Sequence, residues 1–179
     1  HGGANNRSGQ HGQRETPLIF HGFHLSSLCN RRQVTPDIPD LVPPAKAMCA
    51  AGPKFDASKG ARWSGWGNGD ANTRYQTAAG ISANDVPKLK VRWAFAFPGE
   101  LSANAQPAIV GGRVFVGSSN GYLYSLSAET GCVHWYYQAS SPVRGAMSIG
   151  RIETPSGARD AAFFGDLGGN VYALDAATG

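Results

Sequence analysis

Three cysteines and five histidines are the side chains of this sequence best suited to metal binding or nucleophilic chemistry. Cys29, Cys49 and Cys132 fit neither a Cys-x-x-Cys motif nor the spacing of zinc ligands. Cys29 is followed by Asn-Arg-Arg-Gln, which departs from the Cys-x-x-Cys-His motif that attaches a c-type haem. The cysteines therefore indicate no metal or haem site. The residues alone leave open whether one disulfide forms, with one free thiol, or none.

The remaining candidate acids, bases and ligands favour structural roles. Four of the five histidines lie within residues 1–24, and we interpret them as solvated side chains. His134 precedes Trp135 in a predicted strand, where a histidine is more often a structural residue than a ligand or base. Glu129, Asp166 and Asp175 lie in predicted turns, where carboxylates usually accept hydrogen bonds from nearby backbone. We assign no chemistry to these groups.

The composition favours strands and turns over helices. The chain has 24 glycines and 11 prolines but only two methionines, which suits an all-β protein with many tight turns. Its apolar content of 41% lies in the range of globular proteins. No apolar run approaches the ~20 residues of a membrane-spanning helix, so no membrane span is expected.

The net charge of +4 is unevenly distributed along the chain. Residues 1–60 hold seven Lys/Arg against four Asp/Glu, and residues 61–179 hold nine against eight. The second region has no basic stripe or helix, so we expect no nucleic-acid partner. Residues 1–60 show no sustained period and carry a Pro-rich stretch, which predicts an irregular or poorly ordered leader.

Strand patterns begin after residue 61. Residues 88–97 alternate apolar and non-apolar side chains with a period of two, which predicts a half-buried strand. Residues 109–112 and 113–116 continue with a strand, a Gly-Gly turn and a second strand. Trp93, near the end of the first pattern, corresponds in role to Trp135.

An internal repeat decides the fold class. Residues 117–131 align without gaps on residues 165–179, an offset of 48 residues. A repeat of this length, with strands and no helical period, is typical of the blades of a β-propeller. Within these segments the offset pairs Tyr124 with Tyr172 and Leu126 with Leu174, and outside them it pairs Phe115 with Phe163 and Pro107 with Pro155.

The repeat resembles a known motif. Residues 173–179 read Ala-Leu-Asp-Ala-Ala-Thr-Gly, and residues 125–135 form a looser copy that ends at Trp135. This pattern is similar to the tryptophan-docking repeat of quinoprotein dehydrogenases, in which the tryptophan of one blade packs over the Ala-to-Gly turn of its neighbour. The resemblance implies an all-β fold: about the first two blades of an eight-bladed propeller, behind the leader of residues 1–60.

A second set of motifs narrows the family. Arg74-Tyr75 leads through Asn84-x-Val-x-x-Leu89 to Trp93, which resembles the first blade of pyrroloquinoline-quinone (PQQ) alcohol dehydrogenases. Residues 63–67, 105–112 and 131–135 are similar to the branch that oxidises polyvinyl alcohol. The resemblance covers about residues 45–179 and implies the N-terminal part of a periplasmic oxidoreductase. It also implies PQQ and calcium as cofactors, a secondary-alcohol or polymer substrate, and an electron acceptor such as a cytochrome c.

The resemblance also implies cofactor contacts. Residues 141–146 are similar to the Arg-Gly element of the family, which places Arg144 against the quinone, with Asn104 and Gln106 as further cofactor-binding candidates. A fixed cation there would stabilise the negative charge that builds on the quinone oxygens as hydride arrives. The alternative interpretation of Arg144 is an ordinary loop arginine. The family's calcium ligands and catalytic aspartate are expected beyond Gly179.

Two departures keep a second function open. The alcohol dehydrogenases carry a glutamate where this chain has Asn104, and two adjacent cysteines where it has Gln138 and Ala139. Both substitutions favour a propeller without a cofactor, acting as a binding or outer-membrane assembly scaffold. The oxidising periplasm that the resemblance suggests also implies a disulfide between Cys49 and Cys132, with Cys29 left unpaired.

Overall fold

The computed structural model describes residues 43–52 and 54–179, and the structural statements below refer to them. Most of residues 1–60, the predicted leader, therefore lies outside the described residues, as does Cys29. The described part contains seven strands in two antiparallel sheets, with strand orders β1-β2-β3-β4 and β5-β6-β7. The strands are β1 (Ala108–Val110), β2 (Arg113–Gly117), β3 (Tyr122–Ser127), β4 (Val133–Gln138), β5 (Ser148–Thr154), β6 (Gly157–Gly165) and β7 (Val171–Asp175).

The two helices of the described residues are short 3-10 turns at Ala45–Ala47 and Val86–Lys88. Neither has the length or the apolarity that crossing a bilayer would require. Each sheet is a simple up-and-down meander, as in a propeller blade. The prediction of an all-β fragment of a propeller is confirmed.

The predicted repeat is confirmed over residues 117–131 and 165–179. In both copies the glycine that ends the turn, Gly131 or Gly179, donates its N–H to the residue four positions earlier, at 2.9 and 2.8 Å. Both glycines have a left-handed backbone, with φ of 75° and 80°. A Cβ atom would lie 2.7 Å from the Trp93 ring in the first copy and 2.9 Å from the Trp135 ring in the second. Both positions therefore require glycine.

The alignment of Pro107 with Pro155 is wrong. Ala108 of β1 pairs with Phe115, whereas Ser148 of β5 pairs with Phe163, the repeat equivalent of Phe115. The β5-β6 hairpin pairs over seven positions, against three for β1-β2, so the added length falls before β6. Pro155 lies in the longer hairpin's turn, and the offset between the first strands of the two sheets is 40 residues.

Tryptophan docking joins the sheets as predicted. The indole N–H of Trp135, on β4, donates to the Ala176 carbonyl at 3.1 Å. Trp93 makes the same contact with the Ala-to-Gly turn of the first sheet, where its indole N–H donates to the Ala128 carbonyl at 3.1 Å. Arg113 adds a contact that the sequence did not reveal: its buried guanidinium donates to the carbonyls of Ala176 and Ala177. Each Ala-to-Gly turn thus receives a side chain from a neighbouring unit.

A continuous core fills the space between the two sheets. It is built from the inward-facing residues of β1 to β6 and of the loop between β4 and β5: Ala108, Val110, Phe115, Leu123, Trp135, Ala139, Val143, Met147, Ile149, Ala162 and Phe164, together with Ala176. The opposite face of the first sheet carries Tyr124 and Leu126, which Trp93, Phe95 and Phe97 cover.

Residues 88–97 do not form the predicted strand. Trp93, Phe95 and Phe97 face the first sheet, while Ala94 and Ala96 are exposed, so the predicted period of two is present. Nevertheless, no residue from 89 to 97 is in a strand. A ladder needs a neighbouring strand to accept its hydrogen bonds, and the described residues supply none beside this segment.

The predicted disulfide is confirmed. Cys49 is bonded to Cys132, and their Cα atoms are 5.0 Å apart. The backbone N–H of Cys49 donates to the Val133 carbonyl at 2.8 Å, and Met48 forms a parallel bridge with Val133. The bond therefore fixes residues 48–49 along the outer strand of the first sheet.

Candidate functional site

Two loops carry the predicted cofactor contacts, and we call them the leading loops because each precedes the first strand of a sheet. The first covers residues 98–107 and the second covers residues 139–147. Asn104 lies four residues before Ala108, and Arg144 lies four residues before Ser148. Because Ala108 and Ser148 are equivalent in strand register, Asn104 and Arg144 occupy equivalent positions in successive blades. The sequence repeat concealed this relation, because its 48-residue offset does not apply here.

The backbone beside Arg144 is fixed between the two sheets. Val143 is fully buried, and its N–H donates to the Ser118 carbonyl of the first sheet's turn at 2.9 Å. The Pro142 carbonyl accepts from the N–H of Leu167 of the second sheet's turn, also at 2.9 Å. The loop is thus anchored on both sides immediately before the arginine. A site on such a backbone is held more precisely than one on a free loop.

A side-chain network adds a third anchor. The backbone N–H of Ser140 donates to the Tyr172 hydroxyl at 3.0 Å, and that hydroxyl donates to an Asp166 carboxylate oxygen at 2.8 Å. The Asn170 N–H donates to the other carboxylate oxygen at 2.9 Å. Burial acts to raise the pKa of Asp166, but the hydrogen bonds from Asn170 and Tyr172 outweigh it and the pKa is lowered. Asp166 therefore remains ionised and holds Tyr172 against the loop.

The Arg144 side chain itself is exposed and free to bind. Among the described residues it makes no hydrogen bond and no ion pair. At the neighbouring Gly145, an added Cβ would have no atom within 4 Å, so open space adjoins the arginine. A guanidinium in this setting can meet a planar anion without first breaking an internal contact.

Asn104 and Gln106 have partners of their own. The Asn104 amide donates to the hydroxyls of Ser102 and Ser119 at 3.3 and 3.2 Å, and its side chain is exposed. The Gln106 amide donates to the Trp66 carbonyl at 3.0 Å, which joins the first leading loop to the segment before it. The structure does not bring Gln106 and Arg144 into hydrogen-bond contact. It places them in the leading loops of neighbouring blades.

The other titratable residues make structural contacts, but Glu129 pairs with a distant side chain and not with the nearby backbone as predicted. Burial, followed by the positive charge of Arg113, lowers the pKa of half-buried His134, so this imidazole is neutral near pH 7. Asp175 accepts the N–H groups of Ala177 and Thr178 within its own turn. Glu129 forms an exposed ion pair with Arg92 at 3.1 Å. Within residues 43–52 and 54–179, no three His, Cys, Asp or Glu side chains cluster to hold a metal ion.

Comparison with known proteins places this architecture in one family. The profile of the glucose/ethanol/alcohol dehydrogenase β-propeller domain, a PQQ family, matches residues 63–179. A polyvinylalcohol dehydrogenase from a Pseudomonas species is 42% identical over 144 residues, which cover 76% of this chain and 22% of that protein. A polyvinylalcohol dehydrogenase from a Sphingopyxis species is 37% identical over 133 residues, covering 74% of this chain and 20% of that protein.

A more distant relative is the 1-butanol dehydrogenase (cytochrome c) of Thauera butanivorans, 27% identical over 67% of this chain and 18% of that protein. The chain thus spans about a fifth of the length of these relatives. The family profile covers both sheets, the two leading loops and Trp135. The chain therefore belongs to the PQQ-dependent alcohol dehydrogenase family and supplies part of its β-propeller.

Proposed function

We propose that this chain forms one wall of the cofactor site of a PQQ-dependent dehydrogenase that oxidises secondary alcohols, with polyvinyl alcohol as the substrate. The observation that carries the proposal is the Arg144 side chain, which is exposed on a backbone anchored between two blades and has no partner among the described residues. The names of the two polyvinylalcohol dehydrogenases support the choice of substrate.

The residues of the leading loops fit a flat, carboxylate-bearing quinone. Arg144 offers a planar cation beside open space, and the equivalent position in the preceding blade holds a neutral amide, Asn104. Bound PQQ would supply a hydride acceptor for the alcohol carbon. Arg144 would then stabilise negative charge on the quinone oxygens, and its fixed backbone would lower the reorganisation that this stabilisation requires.

Calcium, the electron acceptor and the compartment complete the proposal. In this proposal, which follows the family resemblance, the calcium ligands and the catalytic aspartate come from other parts of the protein. The cytochrome c in the name of the Thauera relative supports a cytochrome as the acceptor. The disulfide between Cys49 and Cys132 supports an oxidising compartment, which we propose to be the periplasm.

Two substitutions of Arg144 in the full-length protein test the role of its guanidinium. Arg144→Lys keeps the charge but loses the planar fork, so the protein should retain PQQ while turnover falls. Arg144→Ala should lose both cofactor affinity and turnover, with a loss of turnover of ~10²–10³-fold. Binding of PQQ to the cofactor-free protein is measured by titration, and turnover is measured with polyvinyl alcohol and with a short secondary alcohol.

The control substitutes Arg151, an exposed arginine of β5 outside the leading loops, with alanine. Unaltered PQQ binding and turnover in Arg144→Ala would make Arg144 an ordinary loop arginine. A wild-type protein that binds no PQQ with calcium supplied would favour the scaffold function instead. Asn104 and the Gln138-Ala139 pair, which stand where the alcohol dehydrogenases carry a glutamate and two cysteines, favour that second function.

A further inference from the structure

A cleft of about 630 Å³ lies beside the second leading loop, and we call it the Trp66 cleft. Its walls are a loop of residues 62–72 and the start of β5. Six polar side chains line it: Arg62, Ser64, Asn68, Asp70, Asn72 and Ser148. No part of the mechanism proposed above uses this cleft.

The loop that forms the cleft is tied to the first strands of both sheets. Trp63 and Ile109 of β1 exchange two backbone hydrogen bonds of 2.7 Å. The Gly65 N–H donates to the Met147 carbonyl at 2.9 Å, and the Ser64 hydroxyl accepts from the Ile149 N–H at 2.8 Å. The loop therefore bridges the two blades next to the leading loops, and its position depends on both.

Internal contacts also fix the shape of the loop. Asn68, Asn72 and Arg74 adopt the left-handed backbone region, with φ of 58°, 51° and 54°. The Arg74 N–H donates to the Gly67 carbonyl at 3.0 Å, and the Asn68 amide donates to the Tyr75 carbonyl at 3.1 Å. Non-glycine residues in this region cost conformational energy and often occur where a loop presents a binding surface.

Trp66 is the main apolar surface of the cleft. Its side chain is 53% exposed, although tryptophan is usually well buried in folded proteins. The Arg74 guanidinium lies 4.8 Å from the centre of the Trp66 rings, and Gln106 holds the Trp66 carbonyl. The Arg74 contact restrains the indole and the Gln106 contact fixes the backbone that carries it, so the ring can act as a platform.

The polar side chains around Trp66 are available for a ligand. Among the described residues, the side chains of Asp70, Asn72 and Ser148 make no hydrogen bond, whereas the Arg62 guanidinium is engaged with the Ile149 carbonyl at 2.9 Å. A carboxylate, an amide and a hydroxyl together offer acceptors and donors, which matches alcohol groups because each alcohol both donates and accepts. The methylene groups between the alcohols would pack on the indole.

We propose that the Trp66 cleft binds a polyhydroxylated chain, holding units of a polymer that lie beside the unit being oxidised. The proposal rests on the proposed function for its choice of polymer. Ser148 follows Arg144 by four residues, so their Cα atoms are at most about 14 Å apart and the cleft begins close to the loop of the proposed cofactor contact. A polymer can span that distance, whereas a short diol cannot occupy both places.

The test uses the full-length protein with polyvinyl alcohol and pentane-2,4-diol as probes. Trp66→Ala should raise the KM for the polymer relative to that for the diol by roughly 3- to 10-fold. It should weaken binding of the polymer to the cofactor-free protein by a similar factor, measured by calorimetry. Asp70→Asn, a change of an exposed side chain, should weaken polymer binding in the same direction and decides the test if Trp66→Ala does not fold. The matched control is Tyr75→Ala, an exposed aromatic residue of the same segment outside the cleft.

An unaltered polymer affinity in both variants overturns the proposal, as does a wild type that binds no polymer. An equal loss for polymer and diol also overturns it, because a general disturbance would affect both. The outcomes separate the two proposals. Polymer binding that depends on Trp66 in a protein without dehydrogenase activity refutes the proposed function and supports the cleft. Alcohol oxidation that is indifferent to Trp66 does the reverse.

Discussion

The two sheets share one repeat, but their equivalent residues are buried to different extents. Leu123 of β3 is fully buried, whereas Val171, its equivalent in β7, is 84% exposed. Tyr124 and Leu126 are also buried, while Tyr172 and Leu174 are only half-buried. The first sheet is covered on one face by the second sheet and on the other by Phe95 and Phe97; in the described residues, the second sheet is covered on one face. The sequence of a blade therefore decides which face of the sheet each side chain points to. The segments packed against that face decide how deeply the side chain is buried.

Equivalent polar groups of the two sheets also differ in their hydrogen-bond partners. The Tyr172 hydroxyl accepts from Ser140 and donates to Asp166. The hydroxyl of Tyr124 is buried and has no hydrogen-bond partner in the part of the chain that the structure describes. Burial is the main cause that raises the pKa of Tyr124 above its ordinary value. Where the second blade has an aspartate at position 166, the first has Ser118, which bonds Asn120 and Tyr122 instead.

The largest expected effect concerns the docking tryptophans. Trp135→Ala should cost about 3–5 kcal/mol of the free energy of unfolding, because it leaves a cavity between the sheets and removes a hydrogen bond to Ala176. Trp93→Ala should cost less, since Trp93 is only half-buried. Urea unfolding of the full-length variants measures both. Equal losses of unfolding free energy would mean that a part of the protein outside the described residues also covers Trp93. The two docking tryptophans would then contribute equally to stability.

The same change should destabilise the protein at one repeat tyrosine but not at the other. Tyr172→Phe removes a hydroxyl with two partners and should cost about 1 kcal/mol of unfolding free energy. Tyr124→Phe removes a buried hydroxyl that lacks a partner among the described residues, so stability should be unchanged or slightly raised.

Thermal unfolding of the full-length protein compares the two tyrosine variants. Amide hydrogen exchange should also become faster at residues 140–144 in Tyr172→Phe, because the second leading loop loses an anchor. Tyr124→Phe is the matched control for exchange at that loop. A loss of stability in Tyr124→Phe equal to that in Tyr172→Phe would show that another part of the protein satisfies the Tyr124 hydroxyl.

The smallest expected effect compares the two Ala-to-Gly turns. Stability should depend on pH through Asp175 in the turn of the second sheet, but not through Ser127 in the turn of the first sheet. Burial acts to raise the pKa of Asp175, but the Ala177 and Thr178 N–H groups and Arg159 outweigh it and the pKa is lowered. A lowered folded-state pKa stabilises the fold at neutral pH, and this contribution is lost as the pH falls below about 4. Ser127 accepts the equivalent N–H groups in the first turn with a hydroxyl that does not titrate.

Unfolding of Asp175→Ala and Ser127→Ala at pH 7 and at pH 3 measures this difference. The deficit of Asp175→Ala relative to wild type should shrink at pH 3, whereas the deficit of Ser127→Ala should be the same at both values. A deficit of Asp175→Ala that stays constant between pH 7 and pH 3 would contradict the role assigned to the ionised carboxylate.

Much of the fold follows from local sequence. The Gly111-Gly112 turn was predictable because both residues need a left-handed backbone between two strands, with φ of 61° and 72°. The docking of Trp135 on the Ala-to-Gly turn was predictable because the repeat resembles the tryptophan-docking motif of the family. The strand over residues 88–97 was not, because a strand depends on a partner that its own residues do not encode.

The candidate site was less predictable than the fold. Arg144 was found through the resemblance, but its equivalence to Asn104 required the strand register, since the longer β5-β6 hairpin hides the relation in the sequence. Arg113 reads as a charged residue at the start of a strand, with no sign that its guanidinium reaches the turn of the next sheet. The Trp66 cleft depends on contacts between residues 62–72 and strands that are far away in the sequence.

The sequence by itself determined the period of the repeat and the glycines of its turns, and the family resemblance of its motifs implied the docking tryptophans and the disulfide between Cys49 and Cys132. The first two features depend on spacing and backbone conformation, whereas the cysteines alone left their pairing open. Only the tertiary structure decided the anchoring of Arg144, the isolation of the Tyr124 hydroxyl and the shape of the Trp66 cleft. The physical reason is that burial and hydrogen-bond partners come from whichever distant segments pack against a residue, and identical repeat positions have different neighbours.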